Sequence, residues 1–205
     1  ITSKFDNFIS NDIMRPVVLQ EKSVFNFREI MDNKKILLVN LSKGRLGDIN
    51  ANLIGLILVG KITMAALSRV DIVGKKEVND FYLYIDEFQN ITTDSIQVIL
   101  SEARKYRLSL NVAHQYIEQL DEKIKDAVFG NVGSMVVHRV SAENADVFAK
   151  QFEPTFTPSD IIKLENLNCY IKMLVNGMPV KPFNSFTPFP PRGNKDFAEK
   201  LKELS

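Results

Sequence analysis

Residues that build covalent or metal-held folds are scarce in this chain: it has 1 cysteine and 2 histidines among 205 residues. Cys169 alone excludes an internal disulfide and fits a reducing compartment. It falls in an apolar strand pattern and reads as core rather than nucleophile. His114 and His138 cannot make a zinc site by themselves, and no Cys/His cluster accompanies them. Both fall in or at the ends of strands. Charge of one sign is also lacking. The net charge of +1 gives no global electrostatic case for nucleic acid, so contact with DNA would have to come from local patches or from assembly. No signal peptide is visible, and no apolar run approaches the about 20 residues of a membrane span. Within residues 53–67 the longest uninterrupted run is 53–60; Lys61 breaks it, and Asp48 and Arg69 bracket the segment. This segment reads as a core helix, rich in Ala and Gly so that it can pack closely.

The phosphate-cradling loop G-x-x-x-x-G-K-S/T is missing as well. Neither the stretch from Ser42 to Gly47 nor that from Val73 to Lys76 has its spacing. The chain starts at Ile1 and enters mid-pattern. The expectation is therefore a C-terminal piece of a larger protein whose phosphate loop lies upstream. The piece alone should have negligible nucleotide-hydrolysing activity.

What is present is concentrated in residues 81–89, Phe-Tyr-Leu-Tyr-Ile-Asp-Glu-Phe-Gln. Five apolar or aromatic residues predict a strand buried on both faces, and Asp86 and Glu87 stand at its end. In parallel sheets chemistry collects beyond the carboxyl ends of the strands. Two neighbouring acids there match the second half of a nucleoside-triphosphatase site. One carboxylate holds Mg²⁺ through water, and the other orients or deprotonates the attacking water. The plain alternative is a pair of turn-forming acids.

Around this strand the pattern alternates. Residues 1–15 predict a partial amphipathic helix through Phe5, Phe8, Ile9 and Ile13; 36–41 a buried strand; and Asp48 the cap of a long helix to about Arg69. After the acid-bearing strand come a helix from Thr93 or Asp94 to about Tyr106, a strand over 108–113, and a helix over 116–129 with Ile117, Leu120, Ile124 and Val128 as its stripe. A strand over 133–140, a helix over 142–152 and a short helix over 159–164 follow. Strands over 169–175 and 180–186 flank Asn176 and Gly177, a strong hairpin signal. Phe183, Phe186 and Phe189 read as the chain end packing over the sheet, with a docking segment as the alternative. The fold class is α/β, a mostly parallel sheet flanked by helices with a C-terminal β-hairpin. Residues 1–190 form the domain and 191–205 a polar tail, with some helical character.

Four segments in order resemble the C-terminal half of the RecA-like motor domain of the HerA–FtsK superfamily, in its branch of conjugative coupling proteins of type IV secretion systems. They are Ile-Leu-Leu-Val-Asn-Leu-Ser at 36–42, Tyr-Ile-Asp-Glu-Phe-Gln at 84–89, Glu-Ala-Arg-Lys-Tyr-Arg-Leu at 102–108 with Ala113, His114 and Gln115, and Gly-Asn-Val-Gly at 130–133 leading to His138 and Arg139. The resemblance implies ATP and Mg²⁺ in the full-length parent, with Asp86 the Walker B acid on the Mg²⁺ side and Glu87 the catalytic acid. It implies Gln115 as sensor of the γ-phosphate, Arg104 as an arginine finger reaching into a neighbouring subunit, and Arg139 as a second nucleotide-side candidate. The partners it implies are DNA, further copies in a ring, expected to be a hexamer, and a membrane-bound secretion complex. The expected place is the cytoplasm, at the inner face of the membrane through upstream segments. Other readings stay open for the same residues. Arg104, Lys105 and Arg107 would be a cation cluster at a helix C-terminus, where the dipole favours it anyway. Gln115 would cap a strand and Arg139 would be an edge-strand charge. A superfamily-1 helicase shares Ile-Asp-Glu-Phe-Gln, but its Gly-Asp-x-x-Gln motif is absent after the next strand. A non-catalytic assembly module with a relic acid pair is the third alternative.

Overall fold

A computed structural model describes residues 10–204 apart from Lys76, Thr93 and Arg192. Phe5, Phe8 and Ile9 of the expected first helix, and Thr93 as a helix cap, lie outside the described residues. The chain forms two compact units, residues 1–132 and 133–205.

The first unit opens with short helices α1 (Met14–Val18), α2 (Phe27–Asp32) and α3 (Lys43–Leu46) and the long α4 (Asp48–Leu67). Asn26 caps α2 by accepting the Glu29 N–H. A 3₁₀ turn, Ser68–Asp71, follows α4, and the charged loop leads to β1 (Phe81–Ile85). Beyond β1 come a 3₁₀ turn (Phe88–Ile91), α5 (Asp94–Glu102), a second 3₁₀ turn (Ala103–Tyr106), β2 (Leu108–Val112), a third (Ile117–Gln119) and α6 (Glu122–Asn131). Strands β1 and β2 pair in parallel, from Phe81 opposite Leu108 to Ile85 opposite Val112. Val59, Ile62 and Ala66 of α4, Phe88, Ile96 and Ile99, and Leu120, Ile124 and Val128 share one core with Ile85 and Leu108. Phe88 and Ile96 are fully buried, each contributing about 1.5–3 kcal/mol by leaving water. Helix α4 is long and apolar enough to cross a bilayer; 33% of its most apolar stretch is buried, and the buried Val59, Ile62 and Ala66 belong to this core. Gly55 lets α4 pass tightly over Ile91 and Leu41; a Cβ there would collide with the Ile91 side chain. The turn after β1 is thereby pinned against the longest helix.

Several expectations change here. Residues 36–41 form no strand, and Ile36, Leu38 and Val39 are exposed while Leu37 packs on the core. No described strand takes up their N–H and C=O groups, so the run has no sheet to bury it. Strand β1 is covered on one face, with Phe81, Leu83 and Ile85 inward and Tyr82 and Tyr84 exposed. Arg69, expected as a polar bracket, is fully buried. The helix expected over 93–106 ends in a 3₁₀ turn, and the helix expected over 116–129 is broken at Leu120 and Asp121, whose ψ angles of 134 and 145 are not helical, into a 3₁₀ turn and α6.

The second unit holds β3 (Met135–Val137), α7 (Ala142–Phe152), α8 (Pro158–Ile162), β4 (Asn168–Lys172), β5 (Leu174–Val175), β6 (Met178–Pro179), β7 (Phe183–Phe186) and α9 (Lys195–Leu204). Its antiparallel sheet runs β3-β4-β7, and β5 and β6 form the expected hairpin. Asn176 and Gly177, both left-handed at φ 51 and 78, make its turn. Thr157 and Asp160 form a capping box with Pro158 at the start of α8. Val137, Ala145, Ala149, Phe152 and Ile161 make a separate core. Cys169 is buried in β4 with its Sγ 3.6 Å from the Ser185 carbonyl oxygen, a core residue as expected. Phe183, Phe186 and Phe189 stay exposed, so the chain end does not pack over the sheet.

Candidate functional site

The carboxyl ends of β1 and β2 lie side by side, because the parallel register leaves both at the same edge. There Ala113 donates its N–H to the Ile85 carbonyl at 2.9 Å, and Phe88 donates back to Ala113 at 3.0 Å. Between these two bonds the chain carries Asp86 and Glu87. Glu87 is left-handed, φ 50 and ψ 43, a conformation unusual for a non-glycine residue. It ends the strand alternation and turns the chain into the 3₁₀ turn. Phe88 anchors that turn in the core, and the Asn90 amide caps it on the Glu87 carbonyl at 3.1 Å.

Glu87 is half-buried and held at both carboxylate oxygens. Gln115 Nε2 donates to Oε1 at 2.8 Å, and Gln89 Nε2 donates to Oε2 at 2.6 Å. Asp86 is exposed, and one of its oxygens accepts the Glu87 N–H at 2.9 Å. Buried and unpartnered beside them are Gln89 Oε1, His114 Nδ1 and, on β2, Asn111 Nδ2. The His114 ring stands 6.4 Å from that of Phe88. This donor set suits a hard, hydrated cation and its water: an exposed carboxylate, and next to it a carboxylate oriented by neutral amides that do not compete for its charge. Among the described residues no group of three or more His, Cys, Asp or Glu could hold a metal by itself. The arrangement offers one carboxylate for a cation that brings its own further ligands.

The structure thus brings Asp86, Glu87 and Gln115 together. It does not bring Arg104 to them. Arg104 is exposed on the 3₁₀ turn that enters β2, at the opposite end of the strand pair, and its guanidinium makes no hydrogen bond or ion pair among the described residues. Five strand residues at about 3.3 Å each separate the two edges, on the order of 15 Å. Arg139 belongs to the second unit, where its guanidinium donates to Asn166 Oδ1 at 3.1 Å. Two residues carry more than the sequence reading gave them. Gln89 lies within the quoted acidic motif, yet its grip on Glu87 depends on the left-handed turn, which the motif does not announce. Arg69 is buried in structural contacts that come from distant segments.

Residues 80–153 match the family model described as the TraM recognition site of TraD and TraG. The fold is similar to the bacterial conjugative coupling protein TrwB in its unbound form, with a TM-score of 0.68 and 18% identity over 91% of this chain and 49% of that one. TrwB in complex with ADP and Mg²⁺ gives a TM-score of 0.66 at 18% identity, over 91% of this chain and 48% of that one. The genome packaging NTPase B204 of Sulfolobus turreted icosahedral virus 2, in complex with AMPPCP, gives 0.55 at 12% identity, over 92% of this chain and 95% of that one. No curated protein matches the chain. The chain spans about half the length of the coupling-protein structures it matches. The fold is the RecA-like α/β fold of these structures, and the family match over residues 80–153 agrees with the likeness to conjugative coupling proteins that the sequence indicated.

Proposed function

We propose that the chain is the acid-bearing half of a ring-forming, ATP-driven motor that moves DNA, of the coupling type used in conjugation and type IV secretion. The observation that carries this reading is Glu87 held between Gln89 and Gln115 at the carboxyl edge of a parallel pair, one residue after the exposed Asp86. Asp86 would hold Mg²⁺ through water, and the bound ion would supply charge neutralisation at the transferred phosphoryl group. Glu87 would take the proton of the attacking water. Gln115 would release Glu87 Oε1 and turn its amide towards the γ-phosphate, which couples nucleotide occupancy to the freedom of the base. Arg104, on the far edge and without a hydrogen bond or ion pair among the described residues, would act in trans on the nucleotide of an adjoining copy. Arg139 is the weaker second candidate on the nucleotide side. Support for nucleotide and Mg²⁺ comes from TrwB, whose structure holds ADP and Mg²⁺, and support for nucleotide from B204, whose structure holds AMPPCP. The parent would work in the cytoplasm as a hexamer at the inner face of the membrane, beside a secretion complex, with DNA as cargo.

The test uses the full-length parent. Glu87→Gln should bind ATP and lose hydrolysis by about a hundredfold or more. Arg104→Ala should also bind without turnover. Mixing the two should restore hydrolysis, because an intact Arg104 from one variant then meets an intact Glu87 in the other. Near-normal turnover by Glu87→Gln would end the Walker B assignment. Confirmed mixed rings without recovery would return Arg104 to the status of an ordinary surface charge.

A further inference from the structure

Two amides grip Glu87, and they differ in kind. Gln115 is exposed and reaches Glu87 from beyond the end of β2, 28 residues further along the chain. Gln89 is half-buried, sits two residues from Glu87 on the same 3₁₀ turn, and makes the shorter bond, 2.6 Å. We infer that Gln89 is the positioning residue of the proposed base: it keeps the Glu87 carboxylate aimed at the reacting water when Gln115 lets go. The inference rests on Glu87 being that base.

The orientation of the Gln89 amide points the same way. Its carbonyl oxygen Oε1 is buried with no hydrogen-bond partner. A buried unpaired acceptor costs about 1–3 kcal/mol, so such groups call for a cause. Flipping the amide would set Oε1 against Glu87 Oε2, acceptor on acceptor at hydrogen-bond distance. The amide therefore leaves its carbonyl unsatisfied in order to keep its N–H on Glu87. A bond from a neutral donor to a charged acceptor is stronger than one between neutral groups, which decides the balance.

The turn beneath is fixed at both sides. Phe88 is fully buried and its N–H is bonded to Ala113, Asn90 caps the Glu87 carbonyl, and Ile91 lies against Gly55 of α4. Gln89 thus stands on a rigid platform, whereas Gln115 stands on an exposed strand exit. If Gln115 is to reach a phosphate it must break its bond to Oε1. The carboxylate then keeps one anchor. Without Gln89 it would keep none and would sample rotamers around its left-handed backbone.

The experiment is steady-state ATP hydrolysis and nucleotide binding by the full-length parent, with Glu87→Gln as the reference. Gln89→Leu should lower kcat by about 10- to 100-fold, the worth of one hydrogen bond to a charged group. KM and the Kd for ATP should change less than about twofold, because Gln89 does not touch the nucleotide. Gln89→Glu keeps the shape and opposes one carboxylate to another, and should lose at least as much kcat. This second variant answers the question if the leucine variant fails to fold. The inference is overturned if both soluble variants keep kcat within about twofold of the parent while Glu87→Gln is inactive. It is overturned too if kcat falls only in step with a loss of nucleotide affinity, as a general loosening would produce. Turnover by Glu87→Gln itself would instead remove the reading on which the inference stands.

Discussion

At the carboxyl end of the β1–β2 pair, Asp86 is exposed and Glu87 half-buried, and their contacts are with neutral amides and a backbone N–H. At the amino end, Arg69 has no exposed side-chain surface, and its guanidinium joins the entries of both strands. Nη1 donates to the Asn79 carbonyl before β1, at 3.0 Å, and to the Tyr106 carbonyl before β2, at 3.1 Å. Nε donates to Asp32 at 3.1 Å, and Asp32 also takes the Arg28 guanidinium at 2.6 Å. Burial pulls Arg69 below the usual arginine range, and the carboxylate of Asp32 opposes that pull. Arg28 is pushed the other way, mainly by its hydrogen bond to Asp32. One edge thus buries charge and uses Arg69 Nε and Nη1 to hold two strands in register, with Nη2 buried and without a partner among the described residues. The other leaves acids within reach of solvent. The deepest charge is scaffold, and the reachable charge is where the proposed chemistry lies.

Removing the staple gives the largest expected effect. Arg69→Met keeps the length of the side chain and leaves two part-buried carbonyls and part of Asp32 unpaired. It should destabilise the protein by about 3 kcal/mol, read from the shift of the denaturant midpoint at unchanged slope. Hydrogen exchange should quicken first at the amides of β1 and β2. A loss under about 1 kcal/mol would show that the two edges do not differ in this way.

The acid edge should respond oppositely. Glu87→Gln is expected to change stability by less than about 1 kcal/mol, because its contacts are local and partly solvated. A gain would sharpen the contrast, since sites built for chemistry are often less stable than they could be. A loss as large as that of Arg69→Met would make Glu87 a structural residue and erase the contrast.

The acid edge was legible in the sequence because its information is local. An apolar run followed by two acids needs only neighbours to be recognised, and Gln115 follows from the next strand in a parallel pair. The buried stripe of Ile117, Leu120, Ile124 and Val128 and the Asn176–Gly177 hairpin were legible for the same reason. The Arg69 staple was not, because its partners at 32, 79 and 106 are assembled only by the fold. Nor was the exposure of Ile36 and Leu38, since an apolar run states a preference for burial and cannot supply the neighbouring strand. Gln89 falls between these cases. Its identity was in the motif, while its grip on Glu87 required the left-handed turn.

That turn has a counterpart at the other edge, and the pair offers the smallest and most exacting test. Arg107, just before β2, is also left-handed at φ 61, as Glu87 is at φ 50. A non-glycine residue there costs about 1–2 kcal/mol, and a glycine recovers this less about 0.5–1 kcal/mol of added unfolded-state entropy. Arg107 does little in return. Its ion pair with Asp80 spans 3.5 Å with both side chains more than half exposed, the sort of contact worth about 0–1 kcal/mol. Arg107→Gly should therefore leave stability unchanged or raise it by about 0.5 kcal/mol, with hydrolysis in the full-length parent intact. Glu87→Gly relieves the same backbone and should be comparably stable, yet it removes the proposed base and should be inactive. Equal activity in the two glycine variants would mean that the Glu87 carboxylate is not the base. Stable folding of both with activity in one alone would assign function to the Glu87 side chain and not to the left-handed backbone it shares with Arg107.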